Sequence, residues 1–433
     1  MKRLLLLGMV SLFVACGGAD KNLFPVDKAE LQSIYEEVSE GYVGLREQVV
    51  RQPQGCLKYP YLIPAGFYQN LWDWDAFFMA NHFISRGEPQ YMRDWVKLYA
   101  DLADETGYIS GSLTPEGARP MYSKYAPMKP LLAQGAYHYS VAANDFSWIA
   151  PHYEDIKRVV NYQRTKRYDE KYGLYFWEIA MFSGADNNPA LNYWDGDTRS
   201  YLSTDISAFM YGEMLSLAVI ARELGHKAES EQFAAEAKAI KENLNKYCWN
   251  EKDECYYNVD RETGDHYPRV SYNSFVPLMY KMAPTKEAGR ALLQRYMLSP
   301  DAMRSEYGFR SLSKADPEYN NKNIIKPFSN WQGPIWCITN YIYSIALKHY
   351  GFEQEIAWMA TAVGKLIVKD LREFGTMHET YHAETGEPLA PSSFKYKTAD
   401  GRIQGFVSWN LCMQNVMEGA LQDKWMLLEI EGM

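Results

Sequence analysis

Helical periodicity recurs from about Lys28 to the C-terminus, broken only by long loops rich in aromatic residues, and this limits the folds open to the chain. Residues 31–49, 71–85 and 91–103 each place apolar side chains at helical spacing. Residues 207–224 do the same and stop at Gly225, which suits a helix C-terminus. In 227–247 the residues Phe233, Ala234, Ala237, Ile240 and Leu244 form one apolar stripe, with charges elsewhere. Further helices are expected over 285–297, 336–349, 352–374 and 411–421. The long loops 107–130, 173–203, 307–330 and 375–405 separate these helices, and strand signals are few, with Tyr256-Tyr257-Asn258-Val259 a possible hairpin arm. No Pro/Ser-rich linker and no shift of composition divides the 433 residues, so one large helical domain over 28–433 is expected. Helical hairpins repeated around a ring, an all-α toroid, would gather the loops at one end.

The N-terminus does not belong to that domain. Lys2 and Arg3 precede a short apolar run that is too short to span a bilayer and fits a secretory signal over 1–15. It ends in Leu12-Phe13-Val14-Ala15-Cys16, which resembles a bacterial lipobox and implies cleavage before Cys16, acylation of its thiol, and a tether over 16–27. The expectation is a secreted, membrane-anchored lipoprotein on the periplasmic or cell-surface face, held by its lipid alone, and a monomer. Removing Lys2 and Arg3 leaves 43 basic and 54 acidic side chains, which disfavours nucleic acid as a partner. Beyond Cys16 the five cysteines Cys56, Cys248, Cys255, Cys337 and Cys412 are odd in number, so they cannot all pair. A hairpin bridge between Cys248 and Cys255 stays open. The absence of any C-x-x-C argues against a structural zinc site of that kind.

Aromatic residues make up 15% of the chain, and surplus Trp and Tyr suit either a large core or a surface that binds sugar rings. Two loops carry candidate chemistry. His378-Glu379-Thr380-Tyr381-His382 matches the zinc-protease pattern H-E-x-x-H, but Gly375 before it and Gly386-Glu387-Pro388 after it cut short the helix such a site needs. Phe182-Ser183-Gly184-Ala185-Asp186-Asn187-Asn188-Pro189, preceded by Trp177 and Glu178, sets a carboxylate in a turn among rings that raise its pKa, as a general acid requires.

Taken in order, several segments resemble motifs of one glycoside hydrolase family, that of processing α-glucosidases and bacterial mannosylglycerate hydrolases, with trehalases as cousins. Asn70-Leu71-Trp72-Asp73-Trp74-Asp75-Ala76-Phe77-Phe78 is similar to W-D-x-x-F, and Met128-Lys129-Pro130-Leu131-Leu132-Ala133-Gln134 to A-P-P-L-x-A. Gly184 to Pro189 resembles G-x-D-N-S-P, and Asn330-Trp331-Gln332-Gly333-Pro334-Ile335-Trp336 resembles Y-W-R-G-P-I-W. His378 to Gly386 resembles H-E-N-Y-x-P-x-T-G, and Gly405-Phe406-Val407-Ser408-Trp409 the closing F-x-W.

The resemblance implies an (α/α)6 barrel and an inverting reaction on an α-linked glucosyl or mannosyl bond, with Asp186 as general acid and Glu379 as general base. It makes Asp75 a ligand for the sugar hydroxyls and Trp74, Trp177, Trp331, Trp336, Tyr381 and Trp409 stacking platforms, with Gln134, Gln332 and Gly333 also at the substrate. Glu178 ranks below Asp186 as the acid. The substrate is then an oligosaccharide or small α-glycoside, and no cofactor or catalytic metal is expected; Asp195-Gly196-Asp197 with Asp205 is a weak calcium candidate lacking EF-hand spacing. Three departures concern the leaving-group side: Gln332 stands at the motif's Arg, Lys129 interrupts the proline pair, and Asn410 follows Trp409. The missing Arg weakens the case for a charged aglycone unless Arg119, Arg199 or Arg310 substitutes. The rival readings are a non-catalytic glycan-binding lipoprotein, which would need neither carboxylate, and a zinc protease.

Overall fold

The structure is a computed structural model and describes residues 23–120, 125–191, 200–323, 329–390, 394, 396–425 and 429–433. The expected signal, Cys16, the Asp195-Gly196-Asp197 turn and Arg199 lie outside them. Among the described residues the chain is mostly helical. In order come α1 (Lys28–Val43), α2 (Arg46–Val49), α3 (Asp73–Ser85), α4 (Gln90–Leu102), α5 (Leu132–Ala143), α6 (Tyr153–Lys166), α7 (Thr204–Glu223) and α8 (Lys227–Tyr247). They are followed by α9 (Val276–Met279), α10 (Lys286–Leu292), α11 (Cys337–His349), α12 (Glu353–Phe374) and α13 (Cys412–Gln422). Strands of two or three residues pair as small antiparallel ribbons in the connecting segments.

Packing sorts these helices into two kinds. α3, α5, α7, α9, α11 and α13 touch one another in closed cyclic order, α13 returning to α3. The longer members of this set are buried on nearly every side: every residue of α7 from Thr204 to Ala221 is buried. A helix enclosed all round is apolar all round. α7 has the length and hydropathy to cross a bilayer, yet its apolar window is wholly buried in the fold. α1, α4, α6, α8 and α12 pack outside, each burying one stripe: α8 buries Phe233, Ala237, Ile240 and Leu244 and leaves its charges in water.

Local chemistry sets the ends. Asp27 caps α1 by accepting from the N–H groups of Ala29 and Glu30. Gly375, with φ +66°, closes α12 in the left-handed conformation just before the His378-Glu379 segment. Cys248 and Cys255 are buried thiols beside a hairpin in which Cys255 lies opposite Asn250.

Candidate active site

Three separate segments, one helix start and two loops, deliver one carboxylate each. Asp75 lies in the first turn of α3, which the short ribbon Leu71–Trp72 with Ser112–Thr114 holds in place. Asp186 follows a 3-10 turn, Ala180–Ser183, that ends at Gly184. Gly184 has φ +86° and lies so close to Trp74 that a Cβ would come within 2.4 Å of its ring. That position excludes a side chain on both conformational and steric grounds. Glu379 directly precedes the strand Thr380–Tyr381, which pairs with both Ile335–Trp336 and Pro388–Leu389.

The three are electrostatic neighbours, because the charges of Asp75 and Asp186 both act on Glu379. Each is nearly enclosed, at 5% exposure for Asp75, 9% for Asp186 and 4% for Glu379. Each receives one hydroxyl: Ser408 donates to Asp75 at 2.7 Å, Ser329 to Asp186 at 2.8 Å and Tyr68 to Glu379 at 3.1 Å. Burial raises all three, Asp186 to about 7 and Asp75 to about 8, with the hydroxyl donors opposing it. Glu379 stands well above the carboxylate range, through burial first and then the two aspartate charges.

The loops are tied to each other. Asn187 accepts from the backbone N–H of Trp331 at 2.6 Å and donates to Asn330 at 3.2 Å, which fixes the Asp186 turn against the 329–332 loop. On the opposite side, Oδ2 of Asp370, on α12, accepts from the backbone N–H of His378 at 2.8 Å, the His378 ring at 2.9 Å and the Tyr381 hydroxyl at 2.8 Å. Asn410 donates to the His378 carbonyl at 2.8 Å, so Glu379 is held from both flanks.

Several sequence expectations change. Trp177 is fully buried; its indole N–H donates to Asp205 at 2.9 Å and the Arg167 guanidinium lies over its ring, so it offers no face to a sugar. Tyr381 is likewise buried, with its hydroxyl on Asp370 rather than facing a ligand. Gln134 is spent inside the fold, donating to the carbonyls of Pro130 and Phe209 and accepting from Tyr280. Trp74, Trp331, Trp336 and Trp409 form one packed cluster, with Trp331 stacked on Trp336 at 4.3 Å and Trp74 edge-on to Trp409 at 5.2 Å. They wall the site rather than stand open as platforms. The indole N–H groups of Trp331 and Trp409 are buried and have no hydrogen-bond partner among the described residues.

Gln332 bonds Asn320 and Glu318, and Gly333 packs against Tyr319 and Asn320. Glu178 is ion-paired with the buried Arg167 at 2.8 Å, which removes it as a rival acid. Asp205 is occupied by Ser203, Trp177, Tyr272 and the backbone of Ile206. The His378–His382 segment runs as extended chain around Thr380–Tyr381, so its histidines do not share the helical face that zinc ligation by H-E-x-x-H needs. Tyr68, Ser329 and Ser408 escaped the sequence reading. Lys129, in the sequence only an interruption of a motif, is buried, and its ammonium reaches Asp73 at 3.3 Å.

Comparison with known proteins follows the same lines. Residues 68–397 match the family model described as the mannosylglycerate hydrolase MGH1-like glycoside hydrolase domain. The mannosyl-oligosaccharide glucosidase of Saccharomyces cerevisiae is 26% identical over 46% of this chain and 25% of its own length. The mannosylglycerate hydrolase of Rubrobacter radiotolerans is 28% identical over 42% of this chain and 39% of its own length. The chain thus spans well under half of either relative. The GH63 mannosylglycerate hydrolase of Thermus thermophilus, solved in complex with glucose, superposes with a TM-score of 0.64 at 16% identity over 89% of this chain and 99% of that one, and so shares its fold. The chain belongs to the mannosylglycerate hydrolase MGH1-like glycoside hydrolase family.

Proposed function

We propose that this protein is an inverting α-glycosidase on an (α/α)6 frame, with Asp186 as general acid, Glu379 as general base and Asp75 holding hydroxyls of the sugar whose bond is cut. The observation that carries this reading is the meeting of three nearly enclosed carboxylates from separate segments of the chain, each braced by a hydroxyl. In an inverting reaction the acid protonates the leaving oxygen while the base takes a proton from water on the far face of the ring, in one displacement. Burial keeps the proton on Asp186 up to about pH 7, as an acid needs. Crowded carboxylates ionise in steps, not independently. The Tyr68 hydroxyl, which donates to Glu379, supports the charge on that carboxylate when it acts as base.

The substrate is a small α-glucoside or α-mannoside, and the chain reaches its compartment as a lipoprotein acylated at Cys16. Incubating the protein with α-linked disaccharides and glycosyl-glycerates, with NMR detection of the first anomer released, tests the reaction. Early β-anomer supports inversion. Early α-anomer, or turnover by Asp186→Asn or Glu379→Gln at the wild-type rate, refutes the assignment. Mass spectrometry of the membrane-extracted protein tests the anchor, which requires an acylated Cys16 at the N-terminus.

A further inference from the structure

Lys129 stands where the family motif has a proline, and the structure gives it two functions that a proline lacks. Its backbone N–H donates to Asp73 Oδ2 at 2.7 Å, and its ammonium reaches Asp73 Oδ1 at 3.3 Å. The same ammonium lies 4.9 Å from the centre of the Trp74 ring. The residue is only 5% exposed. An ammonium has three protons to donate. Among the described residues its partners are one long hydrogen bond and one ring face, whereas charge-assisted N–H···O contacts usually close to about 2.7–2.9 Å. A buried cation so thinly satisfied is costly unless a ligand completes its shell.

Its placement shows which ligand atoms would do so. The Lys129 charge acts on both Asp75 and Asp186, while Glu379 feels the two aspartates. The Trp74 ring under the ammonium precedes Asp75 in the chain and packs against Gly184, two residues before Asp186, so Lys129 lies on the side of the site that holds these two aspartates. Among the described residues, the two arginines named as substitutes for the motif's Arg are engaged by the protein. Arg310 is buried against Glu384, Tyr319 and backbone carbonyls, and Arg119 is exposed and bonded to Asn70. A carboxylate on the substrate would join three others around one cation already shared with Asp73.

We propose that Lys129 is a substrate-binding residue that donates its remaining ammonium protons to a ring hydroxyl held between Asp75 and Asp186, so that the site selects an uncharged α-glycoside. This rests on the glycosidase reading for the identity of the ligand, and the test separates the two.

The full chain is prepared as wild type, Lys129→Met and Lys129→Arg. Binding of glucose, mannose and their monodeoxy forms is measured by calorimetry, which needs no turnover. Hydrolysis is followed on α-glucosyl fluoride, α-mannosyl fluoride, α-glucosylglycerate and α-mannosylglycerate. Lys129→Met is expected to weaken the preferred sugar about 10- to 100-fold, as for a hydrogen bond to a charged group. One monodeoxy form should lose as much on wild type and nothing more on Lys129→Met. Lys129→Arg should not restore binding, because a planar fork does not replace a point donor.

Losses that simply add for every monodeoxy sugar would make Lys129 a partner of Asp73 alone and overturn the proposal. A loss confined to the glycosyl-glycerates would overturn it too, because Lys129 would then read a carboxylate. Failure of wild type to bind either sugar has the same result. If wild type binds sugars but cleaves nothing, the glycosidase reading falls and the Lys129 assignment stands on binding. If wild type cleaves and Lys129→Met matches it, the reverse holds.

Discussion

Asp186→Asn exchanges a buried carboxyl for a neutral amide of the same shape, and its effect on stability should depend on pH in a way its effect on activity does not. Burial raises Asp186 from 3.8 to about 7. A carboxyl raised by folding leaves stability intact below its unfolded value, and the loss grows as pH climbs towards the folded value. Below about pH 4 both states hold the proton, so wild type and variant should differ little. Between there and about pH 7 the unfolded chain ionises while the folded one keeps its proton, and wild type loses stability. Above that the difference is constant. A shift of roughly three units corresponds to at most about 4 kcal/mol, and about 2 kcal/mol is the working expectation once structural relaxation is allowed for. Urea unfolding followed by tryptophan fluorescence at about pH 4 and about pH 8 measures the difference. The variant should be inactive at both and more stable than wild type only at the higher. A difference that does not change with pH would refute the reasoning, because the carboxyl would then be no more buried than in the unfolded chain.

Other perturbations address the neighbouring groups. The alkaline limb of wild-type kcat/KM should fall near pH 7, where Asp186 gives up its proton, and Lys129→Met should move that limb upward by removing the nearby cation. Asp370→Asn removes the anion that three donors share around Glu379, and a displaced base should lower kcat about 100-fold with little change in KM. Gly184→Ala forces a Cβ against Trp74 at φ +86°, and calorimetry should show a loss of at least about 1–2 kcal/mol. Trp177→Phe should cost about 1–3 kcal/mol through the lost donor to Asp205 yet leave KM unchanged. A raised KM would restore Trp177 as a sugar platform.

Which helices were legible follows from how they are buried. α8 was expected over the same residues it occupies, and α4 and α12 within one at each end, because an outer helix hides one face and writes that face into the sequence as a stripe. α5 and α6 were missed. α5 is buried along its first two turns and carries Gly135 against Trp95, so no polar face marks its period. α6 has a stripe of Tyr153, Ile156, Val159 and Val160, but it follows Pro151 in an aromatic segment that reads as loop.

Residue chemistry carried by a short motif was open to the sequence alone: the carboxylates Asp75, Asp186 and Glu379 in turns rich in Gly, Asn and Trp, the helical character of the chain, and the family those motifs resemble. Partnership was not. The hydroxyls on those carboxylates come from 311, 143 and 333 residues away for Glu379, Asp186 and Asp75. Nor does a motif tell an open ring from a packed one, and only burial turned Trp177 and Tyr381 into braces for Asp205 and Asp370. Local sequence determines what a side chain is able to do. Which of those capacities is used depends on the desolvation and neighbours that the closed ring of helices imposes, and Lys129, an interruption in a motif, becomes there a buried cation between Asp73 and the Trp74 ring.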